Sequence, residues 1–142
     1  MAIEITVKID NAEENRLGKF VESNDDRMYV SDYARFFNES CPGWTNDAEK
    51  NVIFLKAQEH FANVLLIQRG HLFLNEVYDL LGIPRSKAGQ VVGWMFNMDN
   101  PVGDNYVSFD LYDQRNEGFI NGLDNSALLD FNVDGVILDT IP

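Results

Sequence analysis

The 142 residues carry 23 acidic and 11 basic side chains, a net charge of −12, and a single cysteine, Cys41. A field of that sign repels phosphate backbones, because nucleic-acid affinity comes largely from cations that displace counterions, so direct nucleic-acid binding is not expected. One thiol closes no internal disulfide and builds no zinc site, and no apolar run approaches the ~20 residues of a membrane helix.

Length and a hydrophobic content of 45% are enough for one domain with a packed core. The opening MAIEITVKID lacks the cationic and apolar regions of a signal peptide, so a soluble, intracellular chain is expected. The charge is unevenly spread. Residues 1–46 hold nine acids and five bases, and residues 47–96 hold five of each. Residues 97–142 hold nine acids (Asp99, Asp104, Asp110, Asp113, Glu117, Asp124, Asp130, Asp134 and Asp139) against Arg115 alone.

In chain order, Ile3, Ile5, Val7 and Ile9 alternate with polar residues and predict a half-buried strand, followed by a polar loop over 11–26. Ser31 offers an N-cap for a short helix over 32–38, with Ala34, Phe36 and Phe37 turned inward, and Cys41-Pro42-Gly43 reads as a turn. Asn46 then caps a long helix, with Glu49 at capping-box spacing. Ile53, Phe54, Ala57, Phe61, Val64, Leu65 and Gln68 recur at helical steps and predict its buried face. Gly70 ends it, and a second helix over 72–81 turns Leu74, Val77, Tyr78 and Leu81 to one side before Gly82 and Pro84 stop it.

A turn over 86–89 leads into a strand over 90–97 with Val91, Val92, Trp94 and Phe96. Residues 106–113 alternate, Asn121-Gly122 is a hairpin dipeptide, and Leu129, Phe131 and Val133 alternate up to a turn at Asp134-Gly135. The expected fold is α+β: a helical pair packed on a mainly antiparallel β-sheet, in a single domain. Its parts are an N-terminal strand and short helix over 1–44, a helical scaffold over 45–90, and an acidic meander over 91–142. The aspartates would form the meander's solvent side.

Chemical motifs are sparse. Residues 130–135 copy the first half of a calcium-binding EF-hand loop, but the twelfth position, which needs a bidentate Glu, is Ile141, so a hairpin turn is the better reading. A helix, a Gly-Ile-Pro turn and the cations Arg85 and Lys87 suggest a helix-turn-helix, yet Gly89, Gly93 and the β-branched residues beyond them favour a helix–turn–strand unit. His60, His71, Glu59 and Glu76 match no standard zinc spacing. No nucleophile elbow or phosphate loop is present, so no catalytic, cofactor-binding or metal-binding residue is expected.

The segment Arg69-Gly70, Leu74-Asn75-Glu76, Tyr78, Leu81-Gly82, Gly89 and Gly93-Trp94 resembles a domain of unknown function in small phage and prophage proteins of Gram-positive bacteria. The resemblance spans roughly 54–94 and the acidic tail, and it implies a phage setting, in host cytoplasm or virion, with no assigned activity. Physically, Arg69, Asn75 and Glu76 are expected to form a polar knot between the two helices. The leading expectation is a non-enzymatic, acidic protein that binds a basic host or phage protein. Such a protein could inhibit a nucleic-acid-handling partner as a DNA mimic or anti-defence factor, with the nine acids of residues 99–139 as the contact. The alternatives are an oligomeric particle component using Trp44, Trp94, Phe96, Tyr106 and Tyr112, or a ligand-binding protein or enzyme with a pocket near His60, His71 and Glu76.

Overall fold

The computed structural model describes residues 30–141, so the expected 3–9 strand and 11–26 loop lie outside the described residues. In chain order the elements are β1 (Arg35–Phe37), α1 (Ala48–Arg69), β2 (His71–Phe73), α2 (Leu74–Leu81), β3 (Val92–Met95), α3 (Glu117–Ile120), β4 (Ala127–Leu129) and β5 (Gly135–Val136). Single 3₁₀ turns lie at Ala88–Gln90, Gln114–Asn116 and Leu138–Thr140.

The helix expected over 32–38 is a turn followed by β1. The Ser31 hydroxyl accepts the Tyr33 N–H at 3.1 Å and the Ser31 carbonyl accepts the Ala34 N–H at 3.2 Å, closing a tight turn. The chain then pairs antiparallel with β4, Arg35 opposite Leu129 and Phe37 opposite Ala127. Seven residues are too few to sustain an isolated helix, and the ladder gives their backbone partners that a helix would not.

Asp47, one residue beyond the expected cap, starts α1: its carboxylate accepts the N–H groups of Glu49 and Lys50 at 3.0 and 3.2 Å. Buried Asn51 locks the approach by exchanging two hydrogen bonds with the Thr45 backbone. The buried face is also different from the expected one. Asn51, Leu55, Ala62 and Leu66 point inward, while Ile53 and Phe61 remain 60% and 47% exposed. Apolar residues occupy both sides of α1, so periodicity alone does not choose the inner one; packing on β2, α2 and α3 does.

Gly70 ends α1 at φ 81, a left-handed conformation that costs glycine little, and its N–H bonds the Leu66 carbonyl. The chain then forms β2 where more helix was expected. β2 runs antiparallel to β3, Leu72 opposite Trp94 and Phe73 opposite Gly93. The helices are thus joined through a strand. Leu74, Val77, Tyr78 and Leu81 of α2 are buried as expected.

The expected polar knot forms in part, between Arg69 and Glu76. Glu76 pairs with Arg69 and accepts the Phe73 N–H at 3.0 Å, which fixes the start of α2. Asn75 reaches past its own helix, exchanging 2.9 Å bonds with the Ser86 backbone and holding the Gly-Ile-Pro turn against α2. The segment is therefore a helix–turn–strand unit.

The C-terminal third is not a meander. β3 and β5 join β2 in a three-stranded antiparallel sheet, while β4 leaves to pair with β1. Asn121-Gly122 closes no hairpin; Gly122, at φ 82, ends α3. Asp113 explains why: its carboxylate caps the preceding 3₁₀ turn through the Arg115 N–H, so the chain enters 117–122 already helical. Residues 106–112 keep the expected alternation, with Val107, Phe109 and Leu111 buried and Tyr106 and Tyr112 exposed. They are tied mainly through side chains instead of a full ladder. The Val107 N–H bonds Asn63, Ser108 bonds Asn132, and Phe109 bonds Glu59. Nor is 130–135 a hairpin turn. It runs along 108–109 and then to Gly93, through the N–H groups of Asp130, Asn132 and Asp134.

Tyr78 ties α2 to the turn before β1. Its hydroxyl donates to the Tyr33 carbonyl at 2.7 Å, its ring meets Phe131 edge-on, and the Arg35 guanidinium lies 5.4 Å over it. Burial pushes this phenol up to about 12 from an ordinary 10.0. The folded state therefore holds the proton more tightly than the unfolded chain. That contribution is whole below pH 10 and is lost as pH rises toward 12. Chemical denaturation should show a stability decline across that interval that is absent from Tyr78→Phe.

Candidate functional site

Three segments widely separated in sequence build an open groove. Ser31 and Tyr33 come from the turn before β1, and Asp104, Tyr106, Ser108 and Asp110 from the irregular strip that follows β3. Asp130 and Asn132 come from the stretch between β4 and β5, and the groove encloses about 460 Å³. The alternation of 106–112 turns Val107, Phe109 and Leu111 into the core, which is what presents Tyr106, Ser108 and Asp110 outward.

The walls are held by defined bonds. Ser31 donates from its hydroxyl and its N–H to the Asp130 carboxylate, at 2.7 and 3.2 Å. Asn132 accepts from the Trp94 indole at 2.9 Å and the Ser108 N–H at 2.7 Å, and donates to Asp104 and to the Tyr106 carbonyl. Asp110 sits at φ 56, in the left-handed region that Asp tolerates better than most residues, and pairs with Arg115 at 3.0 Å. Burial raises the Asp130 carboxyl above its ordinary range, while the Ser31 bonds and the nearby Arg115 charge oppose that shift.

Of the nine acids expected to form a contact surface, the groove gathers Asp104, Asp110 and Asp130. The others are not brought into it. Asp113 caps a turn and pairs with the buried Arg115. Asp134 accepts the Met95 N–H at 2.8 Å, and its carboxyl is raised mainly by burial. Asp99, Glu117, Asp124 and Asp139 are exposed elsewhere in the tail. The nine are therefore not one solvent face of a sheet.

Ser31 and Tyr33 escape sequence reasoning because Ser31 meets Asp130 across 99 positions, and no local spacing signals that contact. A second hollow of about 250 Å³ lies on the other side of 108–110, lined by Lys56, Glu59 and Tyr112. There the Lys56 ammonium lies 5.1 Å over the Tyr112 ring, and Glu59 accepts the Phe109 N–H at 2.8 Å.

His60, His71 and Glu76 do not converge. His60 is exposed on α1, His71 lies edge-on to Phe73, and Glu76 serves the knot. Among the described residues no group of three or more His, Cys, Asp or Glu stands close enough to hold a metal ion. The aromatic set proposed for assembly is also divided. Trp94 is fully buried and Trp44 donates to the Asn125 carbonyl, while Tyr106 and Tyr112 are exposed.

Among the described residues no helix is long and apolar enough to cross a membrane. No curated protein and no solved structure matches the chain. A family model does, over residues 2–141, nearly the whole sequence and therefore the β1 turn, the knot and the groove together. The chain belongs to that family, a family of unknown function (DUF6353).

Proposed function

We propose that this protein works without catalysis, as a binding protein whose groove takes a lysine- or arginine-bearing segment of a basic partner. One observation carries the reading: Asp104, Asp110 and Asp130 line the same open groove as Tyr33 and Tyr106. Carboxylates attract a cation over distance, and tyrosine faces hold it at contact range. The net charge of −12 accelerates encounter with any basic protein. In the phage or prophage setting that the sequence resemblance implies, the partner would be a host protein that handles nucleic acid. The groove would take a basic segment of its phosphate-binding surface, and the protein would inhibit it. A second reading, an assembly component of a particle, draws on the exposed apolar residues of α1.

Titration with a fluorescent arginine-rich peptide tests the groove. Affinity is expected to fall roughly tenfold or more between about 0.05 and about 0.3 M salt. Tyr106→Ala combined with Asp104→Asn is expected to weaken binding by a further factor of about ten while the fold is retained, since a good cation–π contact contributes about 1 kcal/mol. Binding that ignores both salt and these substitutions would reject the reading.

A further inference from the structure

Asn121 is the one asparagine in the chain that is followed by glycine. The pair ends α3 and opens an exposed stretch, 121–125. Among the described residues the Asn121 side-chain amide has no hydrogen-bond partner. The backbone beside it is tied down. The Gly122 N–H donates to the Phe119 carbonyl at 3.2 Å, and the Leu123 and Asp124 N–H groups donate to the Gly118 carbonyl at 2.7 and 3.1 Å. An unrestrained amide therefore stands next to a peptide nitrogen held by one long hydrogen bond, and glycine has no Cβ to shield that nitrogen.

We propose that Asn121 is a site of spontaneous deamidation, and that the hydrogen bonds ending α3 set its rate. Asparagine is among the chemically labile residues. The Gly122 nitrogen attacks Cγ of Asn121. The N–Cγ bond forms, the Cγ–Nδ2 bond breaks, and the side-chain nitrogen leaves as ammonia with the proton that Gly122 gives up. Water then opens the cyclic imide. Opening at Cγ leaves aspartate; opening at the backbone carbonyl leaves isoaspartate, whose main chain runs through the former side chain. Closing the ring requires turning ψ of Asn121 well away from its value of 3°, which breaks the Gly122–Phe119 bond. Reaction therefore waits on local opening at the end of α3, where the bonds are few and the residues exposed, so that opening costs little. Either product adds a negative charge at the carbonyl end of a helical turn, which disfavours it. Isoaspartate also lengthens the main chain just before the Leu123–Gly118 bond. The stretch beyond is fastened by the Trp44 indole, which donates to the Asn125 carbonyl at 2.9 Å. Modification at Asn121 thus loosens 121–125 from the chain that leads into α1.

Incubation of the full chain at mildly alkaline pH, native and in urea, followed by peptide mapping, is the test. Asn121 should be the first asparagine converted in both, to a mixture of aspartate and isoaspartate, and the native rate should be lower by roughly tenfold or more. Asn121→Gln should stop the reaction at this position, because the longer side chain has to close a larger ring. Its melting temperature should stay unchanged, since the amide it replaces is exposed and unbonded. In the converted protein the Trp44 indole N–H resonance should move. Earlier conversion of another asparagine, or a native Asn121 still intact when the unfolded chain is fully converted, overturns the site. Equal rates in the two states overturn the control by α3, and an unmoved Trp44 resonance overturns the loosening. None of these outcomes depends on the groove.

Discussion

Asn132→Ala should lower the unfolding free energy by about 2–4 kcal/mol and weaken binding in the groove. The asparagine uses both ends of its amide: the oxygen accepts from Trp94 and Ser108, and the nitrogen donates to Asp104 and the Tyr106 carbonyl. The Trp94 side chain is fully buried, so deleting the amide strands its indole N–H away from water, and an unsatisfied buried donor costs more than the net value of the bond. Asn132→Asp should not rescue the loss. It keeps the acceptors but removes both donors and sets a second carboxylate against Asp104. Urea unfolding followed by tryptophan fluorescence measures the effect, and a change below about 0.5 kcal/mol would show that the bonds add nothing net.

Gly93→Ala should be at least as damaging, on the order of 3 kcal/mol or more. A Cβ built there lies 2.0 Å from the Leu72 carbonyl oxygen and 2.8 Å from the Phe73 Cα. Both are backbone atoms of the neighbouring strand, so no rotamer change relieves the clash. Gly93 pairs with Phe73 on one side and Gly135 on the other, and the Asp134 N–H bonds its carbonyl, so widening one ladder disturbs both. The same unfolding measurement checks it, and wild-type stability would contradict the packing described.

These two positions also show what the sequence made legible. Gly89 and Gly93 favour a helix–turn–strand unit over a recognition helix, and the expected pairing of Arg69 with Glu76 matches the bonds observed, while Asn75 holds Ser86 instead. Caps and stops, such as Gly70 and Gly82, are local chemistry and are read locally. Two features are not local. The inner face of α1 depends on which of two apolar stripes meets β2 and α2, and the destination of β4 depends on β1, about 90 residues away. Asn121-Gly122 illustrates the ambiguity. A left-handed glycine serves a helix end as well as a hairpin, and the capped turn from Asp113 decides between them. The groove was legible only in half: the acids of the tail were visible as a group. What gathers three of them beside Tyr33 is the Ser31–Asp130 contact, for which composition gives no cue.

The most direct test of the binding account is a map of backbone amide shifts as an arginine-rich peptide is added to the intact protein. The account predicts saturable changes concentrated at residues 31–33, 104–110 and 130–133. Weaker, non-saturating shifts spread evenly over Asp99, Glu117, Asp124 and Asp139, or a response absent from the groove, would contradict it.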